Sequence, residues 1–374
     1  MYELTKPQLL GIAKGATFLG CGGGWPLYSA LRVLEAFPED GTVSVASVDE
    51  AAGDTAKLTV MVAYLGAPTA AADLTDISGA LRAFDMANEY ARTTLGKEIG
   101  YVIPVEIGAL NTIAPCLVAA ARDIPVVDGD GAGRAVPALE MTTFAGKVAT
   151  APMIMSNGTG FDVSLSAMSS ASQADSLARD LIADPAFDDI AGLAMWIMDG
   201  PTLAKAVPIR GTLGLAEGVG KALDETQDPV GSVIAYLDAN GRTSYRLFDG
   251  TLSAESDTAQ GGFDVGRTTF YNASTGEVVS VYDENENLMA WSSNASRALA
   301  MAPDSICYVT ADGLPFSNAD VDHFSLIGHQ ASIVGVTACA PLAADTGVMT
   351  AFRAALVELG YGGQMVPIAD LRPD

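Results

Sequence analysis

Histidine is almost missing from this chain, since His323 and His329 are its only two. A zinc site built on three histidines is thereby excluded, and a serine–histidine–aspartate triad would have to recruit one of this pair. No serine stands in a Gly-x-Ser-x-Gly context, so the hydrolase elbow is absent as well. Both histidines read as loop and strand-junction residues satisfied by hydrogen bonds. Cysteine is scarce and scattered. Cys21, Cys116, Cys307 and Cys339 form no paired spacing of the kind zinc sites or disulfide frameworks use, which fits a reducing compartment. Positive charge is short: 20 basic residues face 45 acidic ones, for a formal net charge of −25. That field repels a phosphate backbone and excludes nucleic acid as a partner. No apolar run reaches the eighteen residues of a membrane span, and Met1 to Pro7 lacks the basic-then-apolar order of a signal peptide. The expectation is a cytoplasmic protein with no membrane partner.

What is present is ample core material, with 49% apolar and 17% charged residues over 374 positions. Such a length exceeds what one hydrophobic core serves, so two domains are expected. Thr5 can cap a helix with Pro7 in its first turn, and Leu9, Leu10, Ile12, Ala13 and Ala16 follow at helical spacing. The glycine run Gly20-Cys21-Gly22-Gly23-Gly24 stops it, and Pro26 opens the next helix. Strand-like runs at 43–48, 58–65, 101–105 and 124–127 alternate with helical stretches at 77–95 and 112–122. This βαβαβ order predicts a three-layer α/β/α sandwich over residues 1–166. Residues 167–374 begin with helical stretches at 173–182 and 213–223. They then turn to short alternating runs at 232–237, 243–247, 267–271 and 278–282, broken by Asp-Gly and Gly-Gly, before a helical end at 348–359. That texture predicts a mainly β, barrel-like domain, giving an α/β plus β fold overall.

In open α/β sheets, ligands bind beyond the carboxyl ends of the strands. Here those ends carry Glu106 with Asn111, and Asp128-Gly129-Asp130 with Arg134. Asp128 and Asp130 stand two apart and could divide acid and base roles or hold a metal. An Asp-Gly turn that binds its own amides is the plainer alternative. Arg134 could pair with a carboxylate of the protein or of a substrate. The amides of Gly22, Gly23 and Gly24 could hold an oxyanion, although a tight turn needs the same glycines. Cys21, near a helix start, is either a nucleophile with lowered pKa or a small residue in a crowded turn. Glu140 joins Gly22, Gly23, Gly24, Glu106 and Asn111 as a candidate substrate contact. No nucleotide fingerprint occurs, and a divalent metal on carboxylates stays an open alternative.

The same segments resemble the S-methyl thiohydantoin desulfurase family, formerly a family of unknown function found beside hydantoinase and oxoprolinase proteins. The resemblance rests on Gly20 to Gly24, on Glu106-Ile107-Gly108 with Asn111, and above all on Val127-Asp128-Gly129-Asp130-Gly131-Ala132-Gly133-Arg134-Ala135-Val136-Pro137. Asn285-Glu286-Asn287-Leu288-Met289-Ala290 and Ala302-Pro303-Asp304-Ser305-Ile306 resemble the family's carboxyl-terminal domain. Trp25, Ala109 and Ala138 depart from its usual pattern. The resemblance implies hydrolytic removal of a sulfur substituent from a five-membered cyclic amide. In that scheme Cys21, or a water activated by Asp128 or Asp130, attacks the ring, and Arg134 anchors a substrate carboxylate. The alternative it implies is a non-catalytic ligand-binding subunit with a hydantoinase-like partner. A homo-oligomer is a further option.

Overall fold

The computed structural model describes residues 1–68, 70, 74–224, 227–260 and 263–371, with the side chains of 259 and 260 also left aside. The Gly-Gly break expected at 261–262 lies outside the described residues. A first sheet of nine strands runs through β1 (Tyr2–Thr5), β2 (Thr42–Ser47), β3 (Leu58–Gly66), β4 (Ile99–Pro104), β5 (Val126–Asp130), β6 (Met153–Ser156), β7 (Asp162–Leu165), β8 (Ile190–Met198) and β9 (Ile209–Arg210). Their order is β1-β2-β5-β4-β3-β8-β6-β7, with β9 beside β5. The central β2-β5-β4-β3 group is parallel, and β1, β8, β6 and β7 join antiparallel. Every residue of β3 is buried, as a strand covered on both faces must be. Val60 and Val62 face one apolar layer while Met61 and Ala63 face the other, so helices lie on both sides.

The helix at Lys6–Leu19 starts as its capping residues dictate, with the Thr5 amide donating to Gln8 Oε1 at 3.0 Å. It crosses the helix Thr212–Leu223 with the two backbones in contact. A Cβ on Gly15 would lie 1.8 Å from the Ala216 carbonyl, and one on Gly220 would lie 2.0 Å from that of Gly11. Chain from beyond residue 167 therefore covers the first sheet, and β8 even extends it. The run at 232–237 is not a strand but part of the helix Pro229–Ala239. Its buried residues Val230, Val233 and Leu237 repeat at three and four, the helical period, and Asp228 accepts from the Gly231 amide to cap it.

The second sheet has seven antiparallel strands: β10 (Ser244–Gln260), β11 (Phe263–Asn272), β12 (Glu277–Glu284), β13 (Glu286–Ser292), β14 (Arg297–Met301), β15 (Ser305–Thr310) and β16 (Gln330–Val336). They are ordered β14-β13-β12-β11-β10-β16-β15. Long β10 pairs with β16 through its first half and with β11 through its second, and bulges near Phe248 and Ala254 bend it into a half-barrel. Asn287 spans the open side. Its Nδ2 donates to the Ile306 carbonyl at 2.8 Å, and its Oδ1 accepts from Tyr308 Oη at 3.0 Å. The architecture is α/β followed by β, as the sequence implies. Among the described residues no helix is long and apolar enough to cross a membrane.

Candidate functional site

A small cleft opens at the carboxyl ends of β3 and β4, where the half-barrel meets the sandwich. The sandwich contributes Gly24, Trp25, Tyr64, Glu106, Asn111 and the 136–139 segment, and the half-barrel contributes Asn285 and Glu286. Asn111, in the first turn of the helix Ala109–Arg122, fixes the cleft's two sides. Its Oδ1 accepts from the Tyr64 amide at 2.8 Å and its Nδ2 donates to Glu106 Oε1 at 2.9 Å. The other Glu106 oxygen accepts from the Val136 amide at 2.7 Å. Burial raises Glu106 to about 7, against those two hydrogen bonds.

Glu286 enters from the start of β13, with 2% of its surface exposed. Oε1 accepts from the Gly24 amide at 2.8 Å, and Oε2 is buried with no hydrogen-bond partner among the described residues. Burial, reinforced by the Glu106 charge, holds Glu286 well above the usual carboxyl range. Two buried carboxyls that feel one another share a proton, because ionising both in a dry site is too costly.

The glycine run is explained by this arrangement. A Cβ on Gly22 would lie 2.5 Å from Asn287 Oδ1, one on Gly23 would lie 2.1 Å from Glu286 Oε1, and one on Gly24 would lie 2.4 Å from Gly108 Cα. The loop is a socket for two residues of the second sheet, with the Asn287 amide donating to the Cys21 carbonyl at 2.6 Å.

Of the residues singled out from sequence, Gly24, Glu106 and Asn111 line the cleft, and the structure places the others elsewhere. Cys21 is fully buried, outside the lining. Burial opposes its ionisation, yet the neighbouring Cys307 and the Arg134 charge hold it down to about 6. Asp130 is buried and closes its own turn, Oδ1 accepting from the Ala132 and Gly133 amides at 2.6 Å each. Burial raises it to about 6.

Arg134 donates to the carbonyls of Ala135, Asn287, Pro303 and Asp304 at 2.8 to 3.2 Å, joining the two domains from behind the cleft. Glu140 lines a separate hollow with Lys147 and Ser172. Asp128 points to the helix Thr212–Leu223, accepting from the Leu213 amide at 2.8 Å and from Tyr2 Oη at 3.1 Å. Asp128→Ala is therefore expected to cost about 1 kcal/mol in a urea titration, as loss of a cap does, and to leave cleft chemistry intact. Among the described residues no group of three or more His, Cys, Asp or Glu side chains is placed to hold a metal ion.

Sequence reasoning passed over Glu286 as a site residue, together with Asp175 and Arg179. The last two sit four apart on the helix Ala171–Ile182, where Arg179 Nε meets Asp175 Oδ2 at 2.7 Å and the guanidinium lies 3.5 Å from the Phe263 ring centre. Their i, i+4 spacing was the available signal. Glu286 lies in the Asn285-Glu286-Asn287 stretch that carries the resemblance, but nothing local to β13 shows that it reaches the glycine loop.

The comparisons agree with this two-part architecture. The S-Me-THD-like N-terminal domain matches residues 8–167, and the S-Me-THD-like C-terminal domain matches residues 169–360. A crystal structure of a protein from Chromobacterium violaceum superposes with a TM-score of 0.88 at 31% identity, over 98% of this chain and all of that one. No curated protein matches. With both domains matched nearly end to end, this chain belongs to the S-Me-THD-like family, that of the S-methyl thiohydantoin desulfurases.

Proposed function

We propose that the protein is a hydrolase that removes the sulfur substituent from a small five-membered cyclic amide, with Glu106 and Glu286 as its base and acid. The observation that carries this is the buried carboxyl pair at the cleft, one member having an oxygen without a partner. As a water oxygen bonds to the ring carbon that bears sulfur, ionised Glu106 takes one of its protons. Protonated Glu286 gives its proton to the ring nitrogen that receives the C=N electron pair. Collapse of the adduct forms the ring carbonyl and breaks the C–S bond, and the second water proton leaves with the thiol. The proton on Glu106 then returns to Glu286.

In this reading Cys21, which lies outside the cleft lining, takes no covalent part. Cys21→Ser, which removes the nucleophile and retains hydrogen bonding, is expected to keep thiol release within about fivefold of the parent, against the far larger loss a covalent mechanism requires. The four free thiols support a cytoplasmic setting. The deciding test is turnover of hydantoin, thiohydantoin and S-methyl thiohydantoin by the purified full chain, with thiol release and ring opening followed separately. Thiol release supports the reading. Binding without turnover sinks it and assigns the chain to the ligand-binding subunits of hydantoinase-like complexes.

A further inference from the structure

Trp25 is the one aromatic residue of the loop that seats Glu286, and its backbone is unusual. It has φ 72°, the left-handed region, which bulky residues rarely adopt because Cβ crowds the following carbonyl. Such a conformation persists only where the surroundings over-determine it, and it points toward function when the side chain meets a site. This side chain does: it lines the cleft and is 3% exposed.

The indole is fixed in place. Nε1 donates to the Tyr64 carbonyl at 3.3 Å, and the two rings meet edge to face with centres 6.4 Å apart. Through the Tyr64 amide and Asn111 the same chain of hydrogen bonds continues to Glu106. The wall that limits the cleft and the carboxyl pair thus belong to one connected unit. Tyr64, Leu65, Val105, Val136 and Leu193 add an apolar part to the lining, which offers a ring substituent contact.

We infer that Trp25 is the specificity-determining residue of this cleft, restricting it to thin five-membered rings whose carbon substituent is small. The inference rests on the cyclic-amide reading above. Glycine at position 25 would open the wall and accept the left-handed backbone without strain. Phenylalanine would keep the plane and lose only the N–H.

The test compares two S-methyl thiohydantoins, one unsubstituted and one bearing a benzyl group on the ring carbon between the carbonyl and the nitrogen. In Trp25→Gly the benzyl-to-unsubstituted ratio of kcat/KM is expected to rise at least about tenfold, the scale on which hydrophobic pockets discriminate by size. In Trp25→Phe it is expected to stay within about threefold of the parent, since the wall persists. Thermal melts establish that each variant is folded, and Trp25→Leu, with an intermediate ratio expected, serves if the glycine variant is not.

Calorimetric binding of both rings is measured in parallel on the Glu286→Gln background, so that size selection is read without turnover. An unchanged ratio in folded Trp25→Gly, in turnover or in binding, overturns the inference. If the parent turns over neither ring, the proposed reaction falls while the binding ratio still decides the role of Trp25. Binding of neither ring by any variant overturns both.

Discussion

Glu286→Gln is expected to lower kcat for thiol release by about 10²- to 10⁴-fold, the range over which a positioned acid or base contributes. Glutamine is nearly isosteric, and its Oε1 can still accept from the Gly24 amide that glutamate holds at 2.8 Å. What it lacks is an acidic proton. The fold should survive, so steady-state kinetics with a matched thermal melt separate chemistry from packing. Glu106→Gln is expected to do comparable damage for the opposite reason, because the amide cannot take a proton from water.

The pair also sets a pH profile. Activity needs Glu106 ionised and Glu286 protonated. As pH rises through about 7, to which burial lifts Glu106, kcat/KM should rise; above the higher-lying macroscopic pKa, dominated by Glu286, it should fall again. Loss of the alkaline limb in Glu286→Gln, with the acidic limb retained, identifies Glu286 as the acid. An unchanged profile in that variant removes it from the mechanism.

Gly24→Ala is expected to cost on the order of 3 kcal/mol, combining left-handed strain with overpacking. Gly24 has φ 67°, and its Cβ would lie 2.4 Å from Gly108 Cα, a backbone atom that cannot rotate away. A urea titration reads the loss directly. At Gly23 the clash is instead with Glu286, 2.1 Å away at Oε1, so Gly23→Ala should injure catalysis more than stability. A stability loss at Gly24 below about 1 kcal/mol would mean that the loop yields easily and is not a socket.

Hydropathy and punctuation in the sequence carried the elements. The helical period of Leu9, Ile12, Ala13 and Ala16 and the continuous apolar run of β3 are local signals, and burial on one helix face or on both strand faces follows from them. Glu106 and Asn111 were legible for a similar reason, since they follow a strand end, where α/β sheets expose their chemistry. Asp128 and Asp130 end the next strand; the turn that Asp130 closes is a local Asp-Gly contact, whereas only tertiary contact determines that Asp128 caps a distant helix.

The run at 232–237 alternates like a short strand in sequence. Its packing against the helix Thr212–Leu223 selects period 3.6. The sequence by itself thus determined the layers, the family and one carboxylate of the pair. The second carboxylate, 180 positions away along the chain, is decided by the closing of the half-barrel onto the glycine socket. Periodicity describes which face of an element is buried, whereas the union of Glu106 with Glu286 depends on where two sheets meet, and no local pattern encodes that distance.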